Sequence, residues 1–199
     1  MRQNISLAEI SDGHLYKAND MVKADCGGCE GCSQCCRGMG SSIILDPYDV
    51  YRLTTGIGKS MQELLATSVE LNVVDGVILP NLKMQGTGEA CAYLDTEGRC
   101  SIHPYRPGIC RLFPLGRHYE NGGLFYFLQT GECAKENRSK VKVSKWIDTP
   151  ELKRNEQFKL QWHDLLSAMT DRVAGEDEGK QREENLLLLR LCLLFPHEG

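Results

Sequence analysis

Five cysteines crowd the segment Cys26-Gly-Gly-Cys29-Glu-Gly-Cys32-Ser-Gln-Cys35-Cys36. Four recur at an interval of three, and the fifth follows directly. Thiolates in this density are the chemistry of zinc and iron binding. Structural zinc sites usually take one C-x2-C pair from each of two separated knuckles. A single loop that repeats C-x2-C is instead how bacterial ferredoxins wrap an iron–sulfur cluster, so the spacing favours an iron–sulfur centre of the [4Fe-4S] kind. Zinc or iron ions on the same thiolates are the alternative. Free cysteine ordinarily hides in a core, but a loop carrying Gly27, Gly28, Gly31, Gly38 and Gly40 offers little core in which to hide five thiols. Neighbouring side chains on extended backbone point to opposite faces. Cys35 and Cys36 therefore serve two ions or two edges of a larger centre, or one of them is spare.

A second set, Cys91, Cys100, Cys110 and Cys133, follows later. With Cys26, Cys29, Cys32, Cys35 and Cys36 it makes nine candidate ligands out of ten cysteines, more than one tetrahedral site can use. Two sites, or one multinuclear centre with spare thiols, are expected. Because Cys36 and Cys91 are far apart in the chain, metal would close a long loop and couple to folding. Pro104, Pro107 and Pro114 stiffen the backbone around Cys110. Arg37 and Arg111 directly follow cysteines, and Arg106 and Arg117 lie close by. Arginine offsets the negative charge of clustered thiolates and hydrogen-bonds to sulfur, which makes Arg37, Arg106 and Arg111 candidate flanking residues. His103 is a further candidate ligand, against the alternative of a local hydrogen bond. Cys192, in Leu-Arg-Leu-Cys-Leu-Leu-Phe, reads as a small buried hydrophobe.

Composition narrows the classes. At 199 residues, 41% hydrophobic and 25% charged, the chain has the make-up of a globular protein. A net charge of −4 argues against nucleic acid as a partner. The one basic stretch, Arg138, Lys140, Lys142 and Lys145, reads as solvated surface. Met1 to Lys23 carries Asp12, His14, Lys17 and Asp20 without an apolar run, so no secretory signal, a cytoplasmic location and reduced thiols are expected. The apolar run Leu186 to Phe195 is interrupted by Arg190 and falls short of the roughly 20 residues of a membrane span.

The elements that must hold the thiols suggest an α+β fold: a small cysteine-rich domain with short helices and a β-hairpin, plus two C-terminal helices. Residues 1–25 read as a lead-in, 26–145 as the cysteine-cluster domain and 146–199 as a helical appendage. Asp46-Pro47 opens one helix as N-cap and first position, with Gly56 as its stop. Ser60-Met-Gln-Glu63 is a capping box for a second. Val73 to Pro80 is β-like, Cys91 to Cys100 reads as two strands joined at Asp95–Gly98, and Gly123 to Gln129 as a further strand. Thr149-Pro150 starts the clearest helix, with Phe158, Trp162, Leu165, Leu166, Met169 and Val173 on one face. An acidic hinge, Gly175 to Gln181, precedes a last helix from Arg182 to Phe195. These helices pack on the domain or, alternatively, on a second copy in a homodimer.

Cys29-x2-Cys32-x2-Cys35-Cys36, Cys91-x2-Leu94, Gly98-x-Cys100-x-Ile102, Arg106-Pro107-x2-Cys110-Arg111 and Phe113-Pro114 together resemble the CxxCxxCC zinc- or iron-chelating family, the YkgJ-like cysteine-cluster group that includes flagellin lysine N-methylases. The resemblance spans roughly residues 26–135 and implies metal or cluster binding by Cys29, Cys32, Cys35, Cys36, Cys91, Cys100 and Cys110. Cys26 lies upstream of the family pattern, and His103 stands where tyrosine is frequent in it. A protein that holds a metal or cluster for structure, storage or electron transfer, the last with a redox partner, is the first functional expectation. A protein-lysine methylase acting on a protein substrate with S-adenosylmethionine is the second, implied by the resemblance alone. The sequence adds little to it: no C-x3-C-x2-C triplet occurs, and Gly86-Thr-Gly88 opens no helix. A thiol redox protein ranks last, because a tandem array is not the single C-x2-C pair such chemistry uses.

Overall fold

A computed structural model describes residues 7–27, 32–135 and 137–194. In chain order these form α1 (Leu7–Ile10), β1 (Met21–Asp25), α2 (Pro47–Ile57), α3 (Met61–Thr67), β2 (Val69–Val74), β3 (Val77–Leu82), β4 (Met84–Gln85), β5 (Ala90–Cys91), α4 (Gly108–Leu112), β6 (Leu115–Glu120), β7 (Gly123–Leu128), β8 (Ser139–Lys142), α5 (Val143–Ile147), α6 (Leu152–Gly175) and α7 (Glu178–Leu194). The fold is α+β, and its strands pair antiparallel in two-stranded sheets. No helix among the described residues is long and apolar enough to cross a membrane. The chain forms two compact units: Met1–Cys35, Glu97–Arg99 and Gly108–Gln161 in the first, and Cys36–Thr96, Cys100–Pro107 and Trp162–Gly199 in the second.

In the first unit β1 pairs with β8 and β6 with β7. Residues read as a lead-in are built into this unit. Val22 and Ala24 of β1 are buried, and Tyr16 pairs with Tyr126 of β7. The core gathers Val22, Ala24, Leu112, Leu115, Tyr126, Leu128, Val143 and Ile147. The β6–β7 turn is Asn121-Gly122, both at positive φ, the mirror-image turn whose twist suits a two-residue hairpin. Tyr126 donates its hydroxyl to Glu156 at 2.9 Å. Burial, reinforced by that carboxylate, pushes its phenol well above the ordinary range. On β8 and α5 the exposed Lys140, Lys142 and Lys145 match a solvated basic stretch, while Arg138 is half-buried.

In the second unit Asp46 and Ser60 cap α2 and α3 with reciprocal side-chain bonds, as their sequences predict. Helix α2 ends at Gly58 in the left-handed conformation, two residues later than expected. The β-like run from Val73 is a hairpin, β2–β3, turning at Asp75-Gly76 with both residues at positive φ. Helix α6 starts at Leu152, after Thr149-Pro150, and α7 starts at Glu178, inside the expected hinge. Phe195 lies outside the described residues. Val77, Leu79, Met169, Leu188 and Cys192 form the core, with Trp162 and Leu166 packed against it. Leu165, expected on the same buried face, is 37% exposed, at the margin of that stripe.

Asn185 of α7 ties the helix to the hairpin. Its Oδ1 accepts from the Ile78 amide at 2.7 Å, and its Nδ2 donates to the carbonyls of Gly76 and Gln181. The residue is 6% exposed, so removing the side chain strands a buried N–H. Asn185→Ala is expected to cost roughly 1–3 kcal/mol, read as a lower urea midpoint at unchanged slope. A loss under about 0.5 kcal/mol, the range of an ordinary surface substitution, would show that water replaces the amide there.

Cys192 is fully buried, and burial, with Asp46 adding to it, pushes its thiol up to about 12. The folded state thus holds this proton more tightly than the unfolded chain, whose thiols titrate near about 8.5. Stability from the neutral thiol is present below that value and is lost as pH climbs toward the folded pKa. The urea midpoint should fall on raising pH from about 8 to about 11 and fall less in Cys192→Ala. Identical pH profiles for the two proteins would contradict this.

Candidate metal centre

Strand β1 delivers the start of the cysteine array. Asp25 ends the strand, accepts the Gly27 amide on Oδ1 at 2.9 Å and receives Ser139 Oγ on Oδ2 at 3.3 Å. Gly27 then turns at φ 69°, a conformation that glycine adopts without strain. Cys26 and Cys32 are half-buried on this loop, and Cys29 lies outside the described residues. Cys35 and Cys36 share a single 3-10 turn, Gln34–Cys36. The first unit ends at Cys35 and the second begins at Cys36, so the adjacent pair is divided between them.

Cys110 and Cys133 belong to the first unit. Cys110 sits on α4, a one-turn helix too short to stand alone. Leu112 anchors it in the core, and Trp146 Nε1 donates to the carbonyls of Leu112 and Phe113 at its end. Arg111, 6% exposed, donates Nη1 to the Asp148 carbonyl at 2.7 Å. One of its jobs is therefore to fasten α4 to the end of α5. Cys133 lies just past the Gly131 turn that follows β7.

In the second unit backbone pairing positions three thiols. Arg37 forms an antiparallel bridge with Ala90, and the Gly38 amide donates to the Glu89 carbonyl at 3.0 Å. Arg37 follows Cys36 and Ala90 precedes Cys91, so the bridge joins the two cysteine-bearing segments. Cys91 also pairs with Met84 through β4–β5. From there the chain turns back, with Leu94 donating to the Cys91 carbonyl and bridging Cys100. The segment expected as two strands is thus one strand end and a bridged turn, with Gly98 at φ 76°.

Tyr93, on that turn, was not singled out by sequence; its place between Cys91 and Cys100 was the available signal. Its carbonyl accepts from the amide and the hydroxyl of Ser101, both at 2.9 Å, and its hydroxyl lies 2.7 Å from Ser68 Oγ. Burial raises its pKa, the Cys91 and Cys100 thiols add to the rise, and the Ser68 hydrogen bond opposes it. The phenol therefore stands within the field of both sulfurs. His103 is exposed, and its Nε2 lies 2.6 Å from Arg106 Nη1. A guanidinium only donates, so Nε2 is the acceptor and is engaged locally. Arg37 is exposed on the bridge.

Among the described residues, no three His, Cys, Asp or Glu side chains gather closely enough to hold an ion. The donor chemistry nevertheless fits a thiophilic metal. All nine described cysteines are thiols, and eight of them are half-buried, neither lost in core nor fully in water. Arg106 Nε and Arg138 Nη1 are buried without a hydrogen-bond partner among the described residues. Buried donors of this kind suit an electron-rich sulfur centre.

Neither a search of curated proteins nor a search of solved structures returned a match. The family model described as "CxxCxxCC: putative zinc- or iron-chelating domain" matches residues 28–138, more than half of the chain. It includes the array from Cys29, the Cys91–Cys100 turn, the Arg106–Arg111 segment and Cys133. The chain belongs to the CxxCxxCC family of zinc- or iron-chelating domains.

Proposed function

We propose that this protein binds an iron–sulfur cluster and serves as a cluster-holding or electron-transfer protein with a redox partner. The candidate ligands are Cys26, Cys29, Cys32, Cys35, Cys110 and Cys133 with Arg111 in the first unit, and Cys36, Cys91 and Cys100 with Arg106 in the second. The observation that carries this reading is the half-burial of eight of the nine described cysteines, with Cys91 and Cys100 joined through one hydrogen-bonded turn at Leu94. Backbone pairing sets the positions of Cys91 and Cys100, whereas ordinary core thiols are placed by apolar packing. Iron–sulfur is preferred over zinc because the array repeats C-x2-C within one loop. When bound, the cluster supplies reversible one-electron transfer. The residues present supply sulfur ligands, cationic donors that offset their charge, and a rigid turn.

Oxygen-free purification should give a brown protein with iron and acid-labile sulfide in comparable amounts. A colourless protein with stoichiometric zinc would overturn the iron assignment and leave the chelating role intact. Cys32→Ser and Cys91→Ser should each lower bound metal about tenfold or more and remove cooperative unfolding, since ligation and folding are coupled. Cys192→Ala should keep its metal. Full metal content in both serine variants would exclude Cys32 and Cys91 as ligands.

A further inference from the structure

Helix α7 has two sides of different character. Asn185, Leu188 and Cys192 are buried and mark the inward side. At 3.6 residues per turn, the outward side carries Glu183, Leu186, Leu187 and Arg190. Leu186 is 48% and Leu187 57% exposed, with Leu191 at 36% on the flank. Glu183 and Arg190 are exposed as well. A single surface leucine needs no explanation. Here two adjacent ones are bracketed on the same face by an anion one turn before and a cation one turn after. Nearby, Arg172 pairs with Glu184 and Lys180 with Glu176, within the same unit.

We propose that this face binds a second copy of the chain, with the two α7 helices antiparallel about a two-fold axis between Leu186 and Leu187. In that register Leu186 packs on the partner's Leu187, and Glu183 faces the partner's Arg190. The reciprocal pairs form by symmetry, as an isologous contact requires. A face negative at one end and positive at the other is complementary to itself only when reversed; a parallel pair would set Glu183 on Glu183 and Arg190 on Arg190. The same polarity disfavours a lipid surface, where helices of this type carry basic residues along the polar margin. One helix face lies at the small end of specific interfaces, so the dimer is weak, with Kd on the order of 10–100 μM. Exposed ion pairs of this kind fix orientation more than they add affinity.

The test is sedimentation equilibrium of the full, metal-replete chain across that concentration range, with thermal unfolding run in parallel. A monomer–dimer equilibrium is expected in the wild type. Leu187→Glu should weaken it about tenfold or more without changing the unfolding temperature. Glu183→Arg should weaken it, and adding Arg190→Glu should restore it. A wild type that stays monomeric throughout overturns the proposal, and so does a dimer that Leu187→Glu leaves intact. A double charge reversal that weakens association further overturns the antiparallel register. None of these outcomes depends on which metal is bound.

Discussion

The antiparallel bridge between Arg37 and Ala90 joins two stretches of chain that are remote in sequence, and much of the second unit's site depends on it. A second antiparallel bridge, Ile44 to Asn81, follows on the same outgoing chain. Leu45 donates to the Pro80 carbonyl and Leu82 to that of Ile43, so the chain leaving the array runs beside β3. Lys83 then donates to Ser68 and accepts from Ala92. Cys91 is thereby linked through a few hydrogen bonds to a strand whose Val77 and Leu79 are buried in the core. Its sulfur inherits the rigidity of β3 although its own two-residue strand could supply little. A ligand set on such a scaffold is held more tightly than one carried on a free loop.

Cys110 is placed by other means in the first unit. Helix α4 is too short to persist by its own hydrogen bonds, and the groups that fix it belong to α5 and the residue just beyond it. Trp146 occupies the carbonyls left open at its end, and Arg111 reaches the Asp148 backbone. Asp148 itself sits at φ 46°, which lets the chain leave α5 with its carbonyl accessible to the guanidinium. The arginine beside the cysteine thus has a structural duty in addition to any it has toward sulfur.

Local signals made part of this molecule legible in its sequence. The caps at Asp46 and Ser60 and the buried Cys192 follow from short-range chemistry and need no knowledge of distant partners. Asp75-Gly76 and Asn121-Gly122 were equally local signals of hairpins, and weighting them would have divided the run from Val73 and revealed β6. Strand β1 was harder. Met21-Val-Lys-Ala-Asp25 is short, and its partner β8 lies over a hundred residues away, so pairing rather than propensity makes it a strand. The cysteines announced chelation by type and spacing alone. Sequence could not disclose that Arg37 would pair with Ala90 or that the Tyr93 hydroxyl would meet Ser68. Each depends on a register set by long-range pairing.

Asn185 reads the hairpin turn by its backbone, accepting from Ile78 and donating to Gly76, so it is indifferent to the side chains displayed there. Evolution can therefore vary the letters of that turn within what its positive-φ backbone accepts, Gly, Asn and Asp foremost, but not its count. One inserted residue would shift every strand position beyond it to the opposite face and slide the amide and carbonyl out of the asparagine's grasp. Relatives that preserve this grip should show length invariance at the turn even where composition drifts.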